Sequence, residues 1–150
     1  MPVIIVGADT PIGIEIVAKL VESAGEVRTF ITDPAFADAF RAQHCKVAIG
    51  DVSDGSHIEI AGFEAFTAVL IAEAALDTRE RAFSTSPEST AAAWIGAVTD
   101  ARIQRVIWIG THPLNEPPGG GRIPELAVLN SSDPDIAVEV GRLNELAELS

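Results

Sequence analysis

The chain of 150 residues lacks most features of secreted, membrane or nucleic-acid-binding proteins. It has one cysteine, Cys45, which excludes an internal disulfide, and no tyrosine, so no phenol can act as an acid or base. No apolar run reaches the roughly 18 residues of a membrane span, and no basic signal-peptide start is present. Only 10 Lys and Arg oppose 22 Asp and Glu, and the net charge of -12 repels nucleic acids and anionic membranes. We expect a cytoplasmic protein with a single domain, residues 1–150.

A glycine-containing loop follows the first apolar run. The run Val3–Val6 leads directly into GADTPIG, residues 7–13, and then into apolar residues at helical spacing. This succession predicts the strand, tight turn and helix of a dinucleotide-binding fold. The middle glycine of such loops is missing, because Thr10 and Pro11 stand where the glycine nearest the pyrophosphate would be. The loop therefore predicts the fold but leaves the function open.

Short β-rich runs alternate with helical patterns along the rest of the chain. Five continuous apolar runs predict the strands of a buried parallel sheet. The predicted strands are 3–6, 27–32, 46–49, 68–71 and 105–109, and the predicted helices are 11–23, 34–42, 56–61, 86–102 and 133–149. We predict an α/β, Rossmann-like three-layer sandwich with about five parallel strands in the order 3-2-1-4-5 and helices on both faces.

Two segments are predicted to be irregular. Residues 73–84 carry mixed charge and little periodicity, and we expect a loop or irregular helix near the nicotinamide end of a cofactor. Residues 111–123 contain three prolines and three glycines after position 112, which predicts a mobile loop that is a candidate lid.

The glycine-containing loop and the strand ends supply the candidate cofactor contacts. Gly7 permits the tight turn, Gly13 permits close approach of helix and strand, and the helix N-terminus favours a phosphate. Thr10 adds a side chain and Pro11 removes an amide donor, so retained dinucleotide binding and a purely structural turn are both open. The predicted cofactor-binding residues are Gly7, Asp9, Thr10, Pro11, Ile12, Gly13, Asp33, Asp51, Val52 and Ala72.

Two acidic residues follow neighbouring predicted strands. Asp33 lies twenty positions after Gly13, where a carboxylate can accept hydrogen bonds from the ribose hydroxyls of NAD. It can equally cap the helix that begins at Pro34, and the two roles can coexist. Asp51 and Val52 follow the third strand, where an adenine ring commonly packs, although an aspartate there is otherwise an ordinary turn residue.

Four stretches carry a resemblance to a known family. GADTPIG is similar to a family loop GATGxxG, VRTFITDP ends in an acidic-proline pair, GDVSD follows the third strand and ARIQRVIWIG forms the fifth. Together they resemble the extended and atypical branches of the short-chain dehydrogenase/reductase family, including NmrA-like proteins, over nearly the whole chain. In NmrA-like relatives an arginine that holds the phosphate of NADP often precedes the Asp-Pro pair. Since Thr32 stands there, the resemblance implies NAD rather than NADP.

The catalytic pair of that family, Tyr-x-x-x-Lys, has no counterpart in the sequence. Residues 140–148 resemble the family pattern YGxSKxxAE, with Val140 in place of the tyrosine and Asn144 in place of the lysine. Val140 cannot transfer a proton. The sequence also ends after this helix, so we expect the substrate-binding C-terminal portion of the family to be absent. The resemblance thus implies a domain without the reductase chemistry of the family.

Thr111 and His112 are the remaining candidates for chemistry. Thr111 corresponds to the family serine or threonine at the end of the fifth strand. His112 is either a replacement acid or base at the ligand-binding edge or a solvent-facing loop residue. His44, Cys45 and His57 do not share metal-ligand spacing, so we predict no metal.

Three functions stay open at this point. The first is a nucleotide-binding sensor or partner-binding protein, the second an NAD(P)-dependent oxidoreductase or epimerase-like enzyme with altered catalytic residues, and the third a ligand-free assembly module. The family resemblance also implies a homodimer in which helices 86–102 and 133–149 pair as a four-helix bundle. We expect this dimer because apolar faces of both helices would otherwise be exposed.

Overall fold

The computed structural model describes residues 1–23, 25–77 and 81–149, in which strands and helices alternate along the chain. The strands are β1 (Val3–Val6), β2 (Val27–Ile31), β3 (Lys46–Ile49), β4 (Thr67–Ile71), β5 (Arg105–Gly110) and β6 (Glu125–Asn130). The helices are α1 (Pro11–Leu20), α2 (Ala37–Ala42), α3 (Gly55–Ala61), α4 (Glu73–Leu76), α5 (Pro87–Asp100) and α6 (Ile136–Glu145), with 3-10 helices at Pro34–Phe36 and Gly120–Arg122. Among the described residues no helix is long and apolar enough to cross a membrane.

All six strands form one parallel sheet in the order β3-β2-β1-β4-β5-β6, with helices on both faces. The predicted fold class and the predicted order of the first five strands are confirmed. Strand β6 was missed, although its register is continuous from Arg105 opposite Glu125 to Gly110 opposite Asn130. Its apolar run, residues 126–129, is as long as that of β1, but it follows a proline- and glycine-rich segment and not a helical pattern, so the alternation of strand and helix that marked the other strands is absent there.

The element boundaries follow local capping. Helix α1 begins where predicted, with Thr10 as N-cap and Pro11 in its first turn, but it ends at Leu20 rather than at residue 23. The predicted second helix is divided into the 3-10 helix Pro34–Phe36 and α2. Helix α6 begins three residues later than predicted because the Asp133 carboxylate accepts the N–H of Asp135 in a local turn.

Two apolar cores flank the sheet. Alternate side chains of β1 point to opposite faces, as the pleat of a strand requires. One core contains Trp94 of α5 and Trp108 of β5, whose ring centroids are 6.1 Å apart. The other joins α1 to α6, with Ile16 and Val140 both fully buried. The sheet is therefore covered on both faces, which suits a parallel sheet.

The positions of the two late helices on the sheet do not support the predicted pairing of both helices across one dimer surface. The buried residues of α5 belong to the core on one face of the sheet, whereas those of α6 belong to the core on the other. Ala91 of α5 and Val140 of α6 are both at 0% exposure, whereas Ala92 of α5 and Leu146 after α6 are exposed. The two helices therefore do not present one common face to a second copy, and the homodimer itself stays a prediction.

A buried arginine ties α6 to the amino edge of the sheet. Arg105, the first residue of β5, is 0% exposed. Its guanidinium donates to the carbonyl oxygens of Leu143 at 2.8 Å, Asn144 at 3.3 Å and Leu146 at 2.8 Å, and it pairs with Glu125 at 2.8 Å. One cation thus satisfies carbonyl groups that the last turn of a helix leaves without partners.

Candidate functional site

The turn between β1 and α1 brings helix and strand together with no room for side chains at two glycines. Gly7 has a φ of +89°, and a Cβ there would lie 2.8 Å from the Cβ of Ala74. A Cβ on Gly13 would lie 2.4 Å from the carbonyl oxygen of Gly7. Both contacts are shorter than atoms tolerate, so the turn needs glycine at these two positions. The structural roles predicted for the two glycines are confirmed.

Thr10, in place of the expected middle glycine, folds its side chain back into the turn. Its hydroxyl donates to the carbonyl oxygen of Gly7 at 2.7 Å and accepts the N–H of Gly13 at 3.0 Å, and the residue is 6% exposed. Pro11 has no amide hydrogen. The Ile12 N–H has no acceptor within the helix, because the first amides of a helix have none. The turn thus keeps the partial positive charge of the α1 N-terminus, and the Ile12 N–H stays a candidate donor to a ligand.

Asp9 connects this turn to the end of β2. Its Oδ2 accepts the backbone N–H groups of Thr32 at 3.1 Å and Asp33 at 3.0 Å. The residue is 8% exposed. The sequence marked Asp9 only as part of the loop, whereas the structure shows a carboxylate that joins two strand ends at the carboxyl edge of the sheet.

The Asp33 carboxylate caps the 3-10 helix Pro34–Phe36. Its Oδ1 accepts the N–H of Ala35 at 2.9 Å, which confirms the capping role. The side chain is partly exposed at the carboxyl end of β2. The contact with a ribose stays a prediction.

The residues after β3 and β4 are engaged within the chain. The Val52 side chain is 3% exposed in the core, and its carbonyl accepts the Trp94 indole N–H at 2.7 Å. Ala72 is fully buried and donates its N–H to Ile109 of β5 at 3.0 Å. The predicted cofactor contacts of both residues stay predictions, and the structure gives their side chains a core role.

Asp51 holds a segment that is distant in sequence. Its Oδ1 accepts both the N–H and the hydroxyl of Ser53, at 2.8 and 2.6 Å, and its Oδ2 accepts the N–H of Ala82 at 2.6 Å. The N–H of Phe83 in turn donates to the Ser53 hydroxyl at 3.1 Å. Burial raises the pKa of Asp51, but the bonds from Ser53 and Ala82 and the charge of Arg81 outweigh it and hold that pKa below its ordinary value. Asp51 is thus an ionised anchor.

This anchor predicts an acid-sensitive attachment of residues 81–83. Because the pKa is lower in the folded state, the folded chain binds fewer protons, and the stabilisation present above the ordinary aspartate pKa is lost as pH falls through the folded pKa. Asp51→Asn mimics that loss at neutral pH, and we expect several-fold faster tryptic cleavage after Arg81. The control is Asp54→Asn, which alters the N-cap of α3. Equal cleavage of the wild type and Asp51→Asn would contradict the anchor.

The predicted irregular segment after β4 is partly helical. Helix α4 starts it, and Arg81 donates to the carbonyl oxygens of Ala74, Ala75 and Asp77, the last at 2.8 Å. Residues 78–80 of this predicted loop lie outside the described residues.

Residues 111–123 are largely exposed, as predicted for a loop, but Leu114 and Ile123 fix the segment to the core, and its role as a lid stays a prediction. Thr111 and Leu114 exchange backbone hydrogen bonds at 3.3 and 2.7 Å, and Leu114 is 6% exposed. Its carbonyl oxygen accepts the Trp108 indole N–H at 3.1 Å, and Ile123, at 7% exposure, joins the same core. The segment connects β5 to β6. The prediction considered only its prolines and glycines and not the apolar side chains that anchor it.

The two catalytic candidates lie at the carboxyl end of β5. The Thr111 hydroxyl donates to the Ser131 hydroxyl at 2.9 Å, and Ser131 directly follows β6. His112 is exposed. Ser131 was not predicted as a site residue, because the strand that precedes it, β6, was not predicted either. Within the described residues, no three His, Cys, Asp or Glu side chains gather to hold a metal ion.

The positions equated with the catalytic tyrosine and lysine lie elsewhere. Val140 is fully buried between α6 and α1. The carbonyl of Asn144 is bound by Arg105 at the start of β5, the opposite end of that strand from Thr111. The equivalence with YGxSKxxAE thus places neither residue beside Thr111.

A known protein family covers most of the chain. The profile of a family described as NAD(P)H-binding matches residues 7–129. No curated protein matches the sequence.

Solved structures show the same fold over larger chains. One similar structure is the Citrobacter sp. triphenylmethane reductase complexed with NADP(H), with 15% sequence identity, a TM-score of 0.61, and coverage of 73% of this chain and 37% of that one. A second is the Escherichia coli quinone oxidoreductase QOR2 complexed with NADPH, with 19% identity, a TM-score of 0.59, and coverage of 72% of this chain and 36% of that one. A third is the anaerobillin reductase ChuY from E. coli O157:H7, with 19% identity, a TM-score of 0.57, and coverage of 74% of this chain and 51% of that one. At these identities the likeness shows the fold alone, and this chain spans between about a third and a half of their length.

Proposed function

We propose, since this chain belongs to the NAD(P)H-binding family, that it binds NAD(H) at the carboxyl edge of its sheet. The turn after β1 carries the proposal. Its two glycines hold the N-terminus of α1 against β1, and the Thr10 side chain is turned back into the loop instead of projecting from it. A departure from the usual glycine is thereby accommodated without a side chain in front of the helix.

The parts of the site have separate roles in this proposal. The Ile12 N–H and the positive end of α1 receive the pyrophosphate. Asp33, at the carboxyl end of β2, accepts hydrogen bonds from the hydroxyl groups of the adenosine ribose. Residues 32–38 contain no lysine or arginine that could pair with a phosphate, and Asp33 is acidic, which favours a ribose with free hydroxyls over one that carries a phosphate. This composition supports NAD(H) as the cofactor, although two of the similar structures are complexes with NADP(H) and NADPH.

The role of the bound nucleotide follows from what surrounds it. Bound NAD(H) supplies hydride transfer, which in the resembled family depends on a tyrosine and lysine pair. The sequence has no tyrosine, and Val140 and Asn144 lie away from Thr111. We infer a nucleotide-binding sensor or partner-binding domain without reductase turnover.

A second candidate is an enzyme with altered catalytic residues. The observation in its favour is the Thr111–Ser131 hydroxyl pair beside exposed His112 at the carboxyl end of β5. NADH oxidation with a quinone or a triphenylmethane dye, the acceptors named for two similar structures, tests it. If the wild type oxidises NADH with such an acceptor and Thr111→Val and His112→Ala abolish that activity, the protein is an enzyme and the sensor proposal is wrong.

Calorimetric titration with NADH tests the proposed function. We expect saturable binding to the wild type and about tenfold to hundredfold weaker binding to Asp33→Ala, since bonds to a charged group contribute roughly 1.5–3 kcal/mol. Asp38→Ala is the matched control, because Asp38 is an exposed acid of α2 that pairs with Arg41. Absence of heat and of thermal shift with NAD, NADH, NADP and NADPH would favour the ligand-free assembly module.

A further inference from the structure

We propose that Asp9 is a specificity-determining residue whose carboxylate occupies the backbone amides that a ribose 2′-phosphate would otherwise reach. The inference rests on the proposed function, because it concerns the adenosine end of the same site. Asp9 lies in the glycine-containing loop, so it gives a second reason for a preference for NAD(H), separate from Asp33.

The amides of Thr32 and Asp33 form a small anion cradle. They are consecutive, and both donate to one oxygen of Asp9, at 3.1 and 3.0 Å. Successive backbone N–H groups that converge on one point make a concave site for an anion, and phosphate oxygens bind such groups well. In this protein the bound anion is the carboxylate of Asp9 itself, and the residue is only 8% exposed.

The cradle lies where the cofactor phosphate of NADP(H) would have to be recognised. In the Rossmann arrangement the ribose hydroxyls meet the residue at the end of the second strand, which is Asp33. A 2′-phosphate at that ribose would find the adjacent amides taken and two carboxylates, Asp9 and Asp33, beside it. Repulsion between close charges of like sign is strong where water is partly excluded. No basic residue within 32–38 offsets it.

The family loop indicates which replacement the turn can accept. Asp9 stands where the loop GATGxxG has a threonine, so Asp9→Thr introduces a residue of the resembled pattern and removes the charge. Asp9→Asn removes the charge but keeps an oxygen that can accept both N–H groups. The two variants therefore separate the effect of charge from the effect of opening the cradle.

Affinities for NADH and NADPH, measured by calorimetry on the wild type and both variants, test the inference. We expect the wild type to prefer NADH by about tenfold or more. Asp9→Thr should raise NADPH affinity relative to NADH by about tenfold or more, and Asp9→Asn by a smaller factor. Asp38→Ala, whose carboxylate lies on α2, should leave the ratio unchanged. Adenosine 2′,5′-bisphosphate serves as a probe of the adenosine end alone and should follow NADPH.

The outcomes separate this inference from the proposed function. If NADH binds and the ratio of the two affinities is the same in all three proteins, the inference is overturned and the proposed function stands. If no protein binds NADH, NADPH or the bisphosphate, both fail. If Asp9→Thr does not fold, as judged by circular dichroism, Asp9→Asn decides, and an unchanged ratio in that variant overturns the inference.

Discussion

Gly13→Ala destabilises the fold by about 3 kcal/mol or more, the upper end of what overpacking usually costs. The new Cβ would lie 2.4 Å from the carbonyl oxygen of Gly7 and 2.7 Å from the backbone of Ala8. Because these neighbours are backbone atoms of the same turn, they cannot move aside like the end of a flexible side chain. The helix must shift away from β1 and from the core it shares with that strand. Urea unfolding followed by tryptophan fluorescence measures the loss.

Gly96→Ala is the matched control for this prediction. Gly96 lies in α5, and a Cβ there meets no atom within 4 Å. Alanine favours a helix over glycine by about 0.8–1 kcal/mol, so this variant should be slightly more stable than the wild type. If both variants change stability by the same amount in the same direction, the close contact between α1 and β1 is wrong.

Arg105→Ala has the second large effect, a loss of about 3 kcal/mol or more. The wholly buried guanidinium donates to three carbonyl oxygens around the end of α6, and its removal leaves those of Leu143 and Leu146 without that donor. The guanidinium also lies over the Phe66 ring, with its carbon 5.2 Å from the ring centroid, and this cation–π contact is lost as well. For a chain of this length we expect the melting temperature to fall by at least about 6 °C.

Arg142→Ala provides the comparison on the same helix. Arg142 is exposed and pairs with Glu139, a contact that contributes little to stability in water. Its removal should leave the unfolding midpoint unchanged. Hydrogen exchange gives a second readout, because Arg105→Ala should deprotect the amides of α6 more than those of α5. Equal midpoints for the two arginine variants would contradict the anchoring role of Arg105.

The parts of the fold that depend on neighbouring residues were predictable from sequence. The run Val3–Val6 followed by GADTPIG located β1, the turn and the start of α1, because strand periodicity, glycine geometry and a proline in the first helical turn are local properties. Asp33 was correctly identified as a cap for the same reason. These signals were enough for the fold class and the order of five strands.

The parts that depend on distant residues were not predictable. The bonds of Asp9 reach 23 and 24 residues along the chain, and that of Asp51 to Ala82 spans 31, so no local pattern reveals them. The separation of α5 and α6 onto opposite faces depends on β6. A signal for β6 was present, since the apolar residues 126–129 are bounded by Pro124 and the turn residues 131–133.

A titration of ¹⁵N-labelled protein with NADH, followed by amide chemical shifts, tests NAD(H) binding at the carboxyl edge of the sheet most directly. Binding at the carboxyl edge predicts the largest shifts at Ile12 and Gly13 in the first turn of α1 and at Thr32 and Asp33 after β2, with little change at Arg105 on the opposite edge. Shifts confined to the amino edge of the sheet, or no shifts at millimolar NADH, would contradict it.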